Sequence, residues 1–182
     1  MFQKIVLAGG TGFLGKVLTH HFRYTCREIV VLTRKAQSDS ANIRYVEWDG
    51  KSLGDWATVL EGAEMLVNLC GKEVDCRYNV ANRAEILRSR LEPTHVLGEA
   101  VRRCVQPPAL WINGTSATIY RHAEDRPQTE ADGDLGSGFS VDICQAWEAA
   151  FFGAEMPRTR KAVLRTSFVL GRAGGAFPKL RR

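Results

Sequence analysis

Apolar residues fall along this chain in two alternating rhythms. Nearly continuous runs rich in Val, Ile and Leu occupy residues 4–8, 29–33, 65–69, 110–113 and 162–166, and a more mixed run covers 43–47. Between them, apolar positions recur every third or fourth residue over 12–23, 55–61, 80–104 and 141–153. The first rhythm suits strands buried on both faces, the second amphipathic helices. Strands separated by helices predict an α/β fold, a doubly wound parallel sheet covered on both sides. Right-handed crossovers then favour the strand order 3-2-1-4-5-6. Pro93 falls inside the long helix over 80–104 and predicts a kink or a split near Glu92, because proline brings no N–H to the helix. Residues 121–138, rich in Gly, Asp, Glu and Pro, predict a long irregular loop, and such loops often carry function. A glycine-rich loop over 171–177 leaves the sixth strand and enters an apolar start with nothing after it to pack on, so the chain is expected to be a fragment.

The first strand meets a turn whose glycines are spaced G-x-x-G-x-x-G, in Gly9-Gly10-Thr11-Gly12-Phe13-Leu14-Gly15, and a helical pattern follows. Such a turn lets the backbone approach a pyrophosphate with no side chain in the way. The next helix then turns its free N–H groups and positive dipole end toward the phosphates. A glycine turn can also serve only to pack a helix on a sheet. The position between strand and helix, near the N-terminus, decides for the dinucleotide-binding, Rossmann reading. Gly9, Thr11, Gly12, Phe13, Leu14 and Gly15 are the residues expected against the ligand.

A length of 182 residues suits one domain with a substantial core, and 45% hydrophobic with 25% charged residues is a soluble composition. No apolar run approaches the roughly 18–20 residues that cross a bilayer, and Met1 leads almost directly into the first strand. Five cysteines without a C-x-x-C pair fit reduced thiols and a cytoplasmic location. The net charge of +5 is uneven: residues 157–182 hold eight of the 25 Lys and Arg and no acid, so residues 1–156 carry 17 basic against 20 acidic groups. Arg158, Arg160 and Lys161 flank a strand, while Lys179 and Arg181 sit on an interrupted helix. With no aromatic interleaving and no known module, neither nucleic acid nor membrane is an expected partner. His20, His21, His95 and His122 show no metal-ligand spacing, so no metal is expected.

The second strand ends at Thr33, followed by Arg34 and Lys35. NAD-binding versions of this fold place a carboxylate there to hold the adenosine ribose hydroxyls. A hydroxyl followed by two cations suits a 2′-phosphate instead, which favours NADP(H). Asp49, after the third strand, has two readings: an acceptor for the adenine amino group, or one half of an Asp-Gly turn.

These stretches resemble an extended short-chain dehydrogenase/reductase. Within that superfamily the chain is similar to the atypical epimerase-like branch, the nucleoside-diphosphate-sugar epimerase or SulA-type cell-division-inhibitor-like proteins. The resemblance rests on the glycine turn, Leu32–Lys35, Val67–Glu73, Ser89–Leu91, Ser116–Tyr120, Trp147-Glu148, and Leu164–Thr166 leading to Val169–Gly171. It implies that residues 1–182 are the dinucleotide-binding domain and that most of a substrate lobe is missing. It implies cofactor contacts at Leu69, Cys70 and Gly71 under the ribose, at Glu85 and Arg90 on the following helix, and at Val169 beside the nicotinamide. Glu85 and Arg90 also read as a surface pair on an amphipathic helix.

The usual triad of that superfamily is Ser plus Tyr-x-x-x-Lys, the tyrosine moving the substrate proton and the lysine lowering its pKa. Ser116 matches the serine, but register on Trp147-Glu148 puts Ser140 and Cys144 at the tyrosine and lysine positions. Tyr120 is the nearby phenol; it reads either as a substitute acid or as a loop-packing aromatic. Two functions follow. One is an NADP(H)-dependent epimerase-like oxidoreductase acting on a small molecule, a sugar nucleotide or carbonyl compound, through Ser116 and Tyr120. The other is a catalytically silent NADP(H)-binding protein whose output is a protein contact. Homodimers are common in the superfamily, and no stretch of this sequence marks a contact surface.

Overall fold

The computed structural model describes residues 1–35, 37–172 and 174–180, the side chain of Lys179 excepted. Arg181, expected on an interrupted helix, lies outside the described residues. Strands β1 (Phe2–Ala8), β2 (Cys26–Thr33), β3 (Ile43–Glu47), β4 (Met65–Asn68), β5 (Leu110–Ser116) and β6 (Arg160–Thr166) form one sheet in the order β3-β2-β1-β4-β5-β6. Every pairing is parallel, with Val6 beside Val30 on one side and Leu66 on the other. This is the doubly wound order that the alternating pattern predicts.

Because neighbouring strand residues point to opposite faces, each run supplies two cores. Ile5, Leu7, Ile29, Val31, Met65 and Val67 meet Leu18 and Phe22 of helix α1 (Phe13–Phe22). Val6, Ala8, Val30, Leu32 and Leu66 face the other way, onto α2 (Val80–Arg103) and α3 (Phe139–Phe152). On that face Trp111 and Phe151 are fully buried and meet edge to face, ring centres 4.9 Å apart. Burying such a side chain contributes about 1.5–3 kcal/mol relative to leaving it in water.

The helix expected over 55–61 is a 3₁₀-helix, Asp55–Leu60, which seats Trp56 against Trp48. The split expected near Glu92 does not occur: α2 runs through Pro93 as one helix. Proline costs about 3 kcal/mol in a helix interior. The next residue offsets that cost. The buried Thr94 hydroxyl donates to the Arg90 carbonyl (2.7 Å) and accepts from Asn68 Nδ2 (3.2 Å) and Trp147 Nε1 (3.0 Å), tying α2 to β4 and α3.

The segment after β6 is not a loose end. It folds back as a hairpin, β7 (Leu170–Gly171) with β8 (Gly174–Gly175), followed by the short α4 (Phe177–Leu180). The hairpin glycines close on the Phe13 ring at the start of α1; a Cβ at Gly171 would lie 2.2 Å from Phe13 Cζ. No helix among the described residues is long and apolar enough to cross a membrane.

Candidate functional site

A cleft of about 870 Å³ opens at the carboxyl edge of the sheet, where the chain passes from β1 to the glycine turn and from β4 to the loop after it. The crevice lies where the strand order reverses, between β1 and β4, the place where doubly wound sheets bind their ligands. Its floor is backbone. Gly9 adopts φ +75, and a Cβ there would stand 2.9 Å from the Leu69 carbonyl carbon, so only glycine lets the two loops touch. Gly15 is buried, and a Cβ on it would meet the Gly10 backbone at 2.4 Å. Helix α1 begins after Gly12 with no side-chain cap, which leaves the first-turn N–H groups of Phe13, Leu14 and Gly15 without an intrahelical acceptor. These features fit a pyrophosphate: a side-chain-free approach, open N–H donors and the positive end of a helix.

The expected cofactor residues divide into three groups. Gly9, Thr11, Gly12, Thr33, Arg34, Leu69, Cys70, Gly71 and Glu85 line the cleft. Phe13, Leu14 and Gly15 form the first turn of α1; Phe13 holds the hairpin and Gly15 the strand–helix contact. Lys35, Arg90 and Val169 do not line it. The Thr33 hydroxyl is turned into the chain, donating to the Lys35 carbonyl (3.2 Å) and accepting its N–H (3.3 Å). Arg34 stays exposed. Its charge offsets the burial that pushes the Cys70 thiol up to about 12, although Cys70 as a whole is only partly buried. Asp49 takes the turn geometry, its carboxylate accepting the N–H groups of Lys51 and Ser52 at 2.8 Å each, which holds its pKa below the usual range.

Arg90 braces the loop from behind. Its guanidinium donates to the carbonyls of Lys72 (3.2 Å) and Ile86 (2.9 Å) and stacks on Trp147 at 5.2 Å. Burial pulls its pKa below the usual arginine value. Ser89 holds the same loop by accepting the Lys72 N–H at 2.8 Å. The far wall of the cleft comes from residues to which the sequence assigns no role: Trp48, Lys51, Lys72, Asn82, Arg88 and Glu92. Four cations, Arg34, Lys51, Lys72 and Arg88, line the cleft with four carboxylates, Asp49, Glu73, Glu85 and Glu92. Arg88 pairs with Glu85 and Glu92, and Glu92 also reaches Lys51 at 3.7 Å.

The expected catalytic residues lie at the same edge, one sheet position further on. Ser116 ends β5 and caps the short 3₁₀ turn Ala117–Ile119; its Oγ accepts the Thr118 N–H and lies 2.7 Å from the Thr118 hydroxyl. Ser140 sits in the first turn of α3 and lines a second hollow, of about 560 Å³, shared with Tyr120, His122 and Phe139. Cys144 is buried, its thiol near the Ser116 backbone, and burial raises its pKa, so the lysine position carries no charge.

Tyr120 packs on the long loop with its ring and meets Arg165 with its phenol. Its ring packs over Gly133 of the long loop, where a Cβ would come within 2.5 Å. Its phenolic oxygen accepts from Arg165 Nη1 at 2.6 Å, and the Arg165 guanidinium lies 5.0 Å from the ring centre. Arg165 is held in turn by the buried Glu148 through two bonds of 2.9 and 2.7 Å, and Glu148 accepts the Thr115 hydroxyl at 2.9 Å. The sequence assigns Arg165 no role, since its partners are Glu148 on α3 and Tyr120 just after the 3₁₀ turn.

The sequence model of the NAD dependent epimerase/dehydratase family matches residues 5–139. The chain is 32% identical over 186 residues to the epimerase family protein SDR39U1 of Bos taurus, covering 96% of this chain and 57% of that protein. It superposes on the crystal structure of human epimerase family protein SDR39U1 with NADPH with a TM-score of 0.83 and 29% identity, over 98% of this chain and 58% of the other. A nucleoside-diphosphate sugar epimerase from Corynebacterium glutamicum is similar at TM-score 0.78 and 27% identity, with 37% of its length covered. The chain thus spans a little over half the length of the curated relatives it matches.

Proposed function

The chain belongs to the NAD dependent epimerase/dehydratase family, and from that premise we propose that it is an NADP(H)-binding, epimerase-like oxidoreductase of the extended short-chain dehydrogenase/reductase type. The observation that carries the proposal is the glycine-floored cleft at the point where the strand order reverses, with the uncapped start of α1 beside it. The phosphorylated cofactor is favoured by Arg34, exposed at the cleft where a carboxylate would repel a 2′-phosphate, and by the NADPH bound to the human relative. Residues 1–182 are read as the dinucleotide-binding part, with the rest of the substrate site on the length its relatives have beyond it.

NADP(H) supplies or accepts the hydride. Ser116 orients the substrate oxygen, and Tyr120 gives it a proton when hydride is delivered and takes one when hydride is removed. Arg165 Nη1 donates to the Tyr120 oxygen, which leaves the phenolic hydrogen free to point at a substrate and steadies the negative charge once it has gone. Substrates of this chemistry are small carbonyl compounds or sugar nucleotides. The buried, uncharged Cys144 favours the second reading, a silent NADP(H)-binding protein. Titration with NADPH and NADH, followed by the fluorescence of bound nicotinamide, tests the common part. Tighter binding of NADPH that Arg34→Ala abolishes supports the reading, and absence of binding overturns it. Hydride transfer to a carbonyl panel that Ser116→Ala and Tyr120→Phe each lower by at least about a hundredfold separates the enzyme from the silent protein.

A further inference from the structure

We infer that Lys72 is a cofactor-binding residue that holds the ribose of the nicotinamide half. This rests on the NADP(H) reading of the cleft. Lys72 follows β4, whereas Arg34 follows β2, and those two strands flank β1 on opposite sides. The glycine turn after β1 takes the pyrophosphate between them. A dinucleotide whose 2′-phosphate meets Arg34 therefore runs its other ribose past the loop that carries Lys72.

The loop presents this one side chain with unusual care. The Lys72 N–H is fixed by Ser89 Oγ at 2.8 Å and its carbonyl by Arg90 at 3.2 Å, so α2 grips the backbone at both ends. The ammonium is aimed by a third bond, 3.0 Å to Asn82 Oδ1. The Asn82 amide is itself oriented, since its Nδ2 donates to the Arg77 carbonyl at 2.8 Å. An ammonium has three donor hydrogens, and among the described residues the Asn82 oxygen takes one, leaving two for a ligand in the cleft that Lys72 lines. Vicinal ribose hydroxyls are the matching acceptors at this end. The buried thiol of Cys144, on α3, offers no charge for that task.

Three probes locate the contact: NADPH; 2′-phospho-ADP-ribose, which lacks only the nicotinamide; and 2′-phospho-ADP, which also lacks the second ribose. For Lys72→Met, calorimetric titration is expected to show roughly tenfold weaker binding of the first two and unchanged binding of the third, the loss of one charge-assisted hydrogen bond. Equal weakening of all three would place Lys72 on the phosphates or in the fold and overturn the inference, as would no change at all. If Lys72→Met does not fold, Asn82→Asp sets a carboxylate against the ammonium and is expected to give the same pattern. Failure of the parent protein to bind NADPH would instead bring down the cofactor reading itself.

Discussion

Single atoms at this site do more than their residue types suggest. The Thr94 hydroxyl joins three elements at once, so Thr94→Val, similar in volume, leaves the Asn68 amide and the Trp147 indole each short of an acceptor in the core. A loss of about 2–4 kcal/mol is expected, since each orphaned buried donor costs about 1–3 kcal/mol, and Thr94→Ser should recover most of it. Urea denaturation measures both. Cys70 is an opposite case, a thiol at a ligand cleft whose pKa burial raises. With its pKa pushed up to about 12, it should resist alkylation by iodoacetamide at about pH 8 in the folded protein and react only on unfolding. Mass spectrometry of the labelled peptides settles which thiols react, and rapid labelling of Cys70 in the native state would contradict the burial.

Among the elements, β6 and α3 are joined by a partly buried ion pair. Glu148 and Arg165 retain 11% and 24% side-chain exposure, dry enough for the loss of one partner to strand the other. Glu148→Ala should cost about 3–5 kcal/mol, and the double substitution Glu148→Leu with Arg165→Met should cost less than either single change. Thermal unfolding of the four proteins gives the comparison. The same elements show what the sequence makes legible. Strand pattern and order are readable because alternation within each run leaves few ways to pack it: Ile5 and Val6 must face opposite layers. The glycine turn is readable because its function is local. Pro93 misleads, because the bonds that carry α2 past it come from Asn68 and Trp147, distant in sequence. The roles of Lys72, Asn82 and Arg165 go unassigned for the same reason, although Lys72 and Arg165 lie in stretches that carry the resemblance. Each is an ordinary polar residue until the fold brings its partners to it.

Taken as a whole, the molecule keeps its most acid-sensitive structure away from the cleft. In the loop 121–138, Arg121 bonds Asp125 at 2.7 Å and Asp134 at 2.8 Å, and Arg126 reaches Asp134 at 3.0 Å. Arg121 holds the Asp125 carboxyl down to about 2, below its ordinary 3.8, and depresses Asp134 in the same direction. A carboxylate depressed on folding contributes stability above its ordinary pKa and loses it as pH falls through the folded value. The loop should therefore loosen between about pH 4 and pH 2. Hydrogen exchange across that range should show residues 121–138 losing protection before the sheet does, and simultaneous loss would mean that the network does not hold the loop. Because Tyr120 pairs with Leu135, loosening also frees the phenol from its packing.

The even matching of cations and carboxylates around the cleft bears on how fast a ligand arrives. A strongly basic groove draws a polyanion from a distance and loses that advantage as salt screens it. Here the approaching nucleotide meets little net field until it is within reach of single groups. Stopped-flow mixing with NADPH should then give an association rate that changes less than about threefold between dilute buffer and physiological salt, with ionic strength acting mainly on the time the nucleotide stays bound. Capture becomes a matter of shape and donor placement, and it should proceed at much the same pace whatever the ionic surroundings.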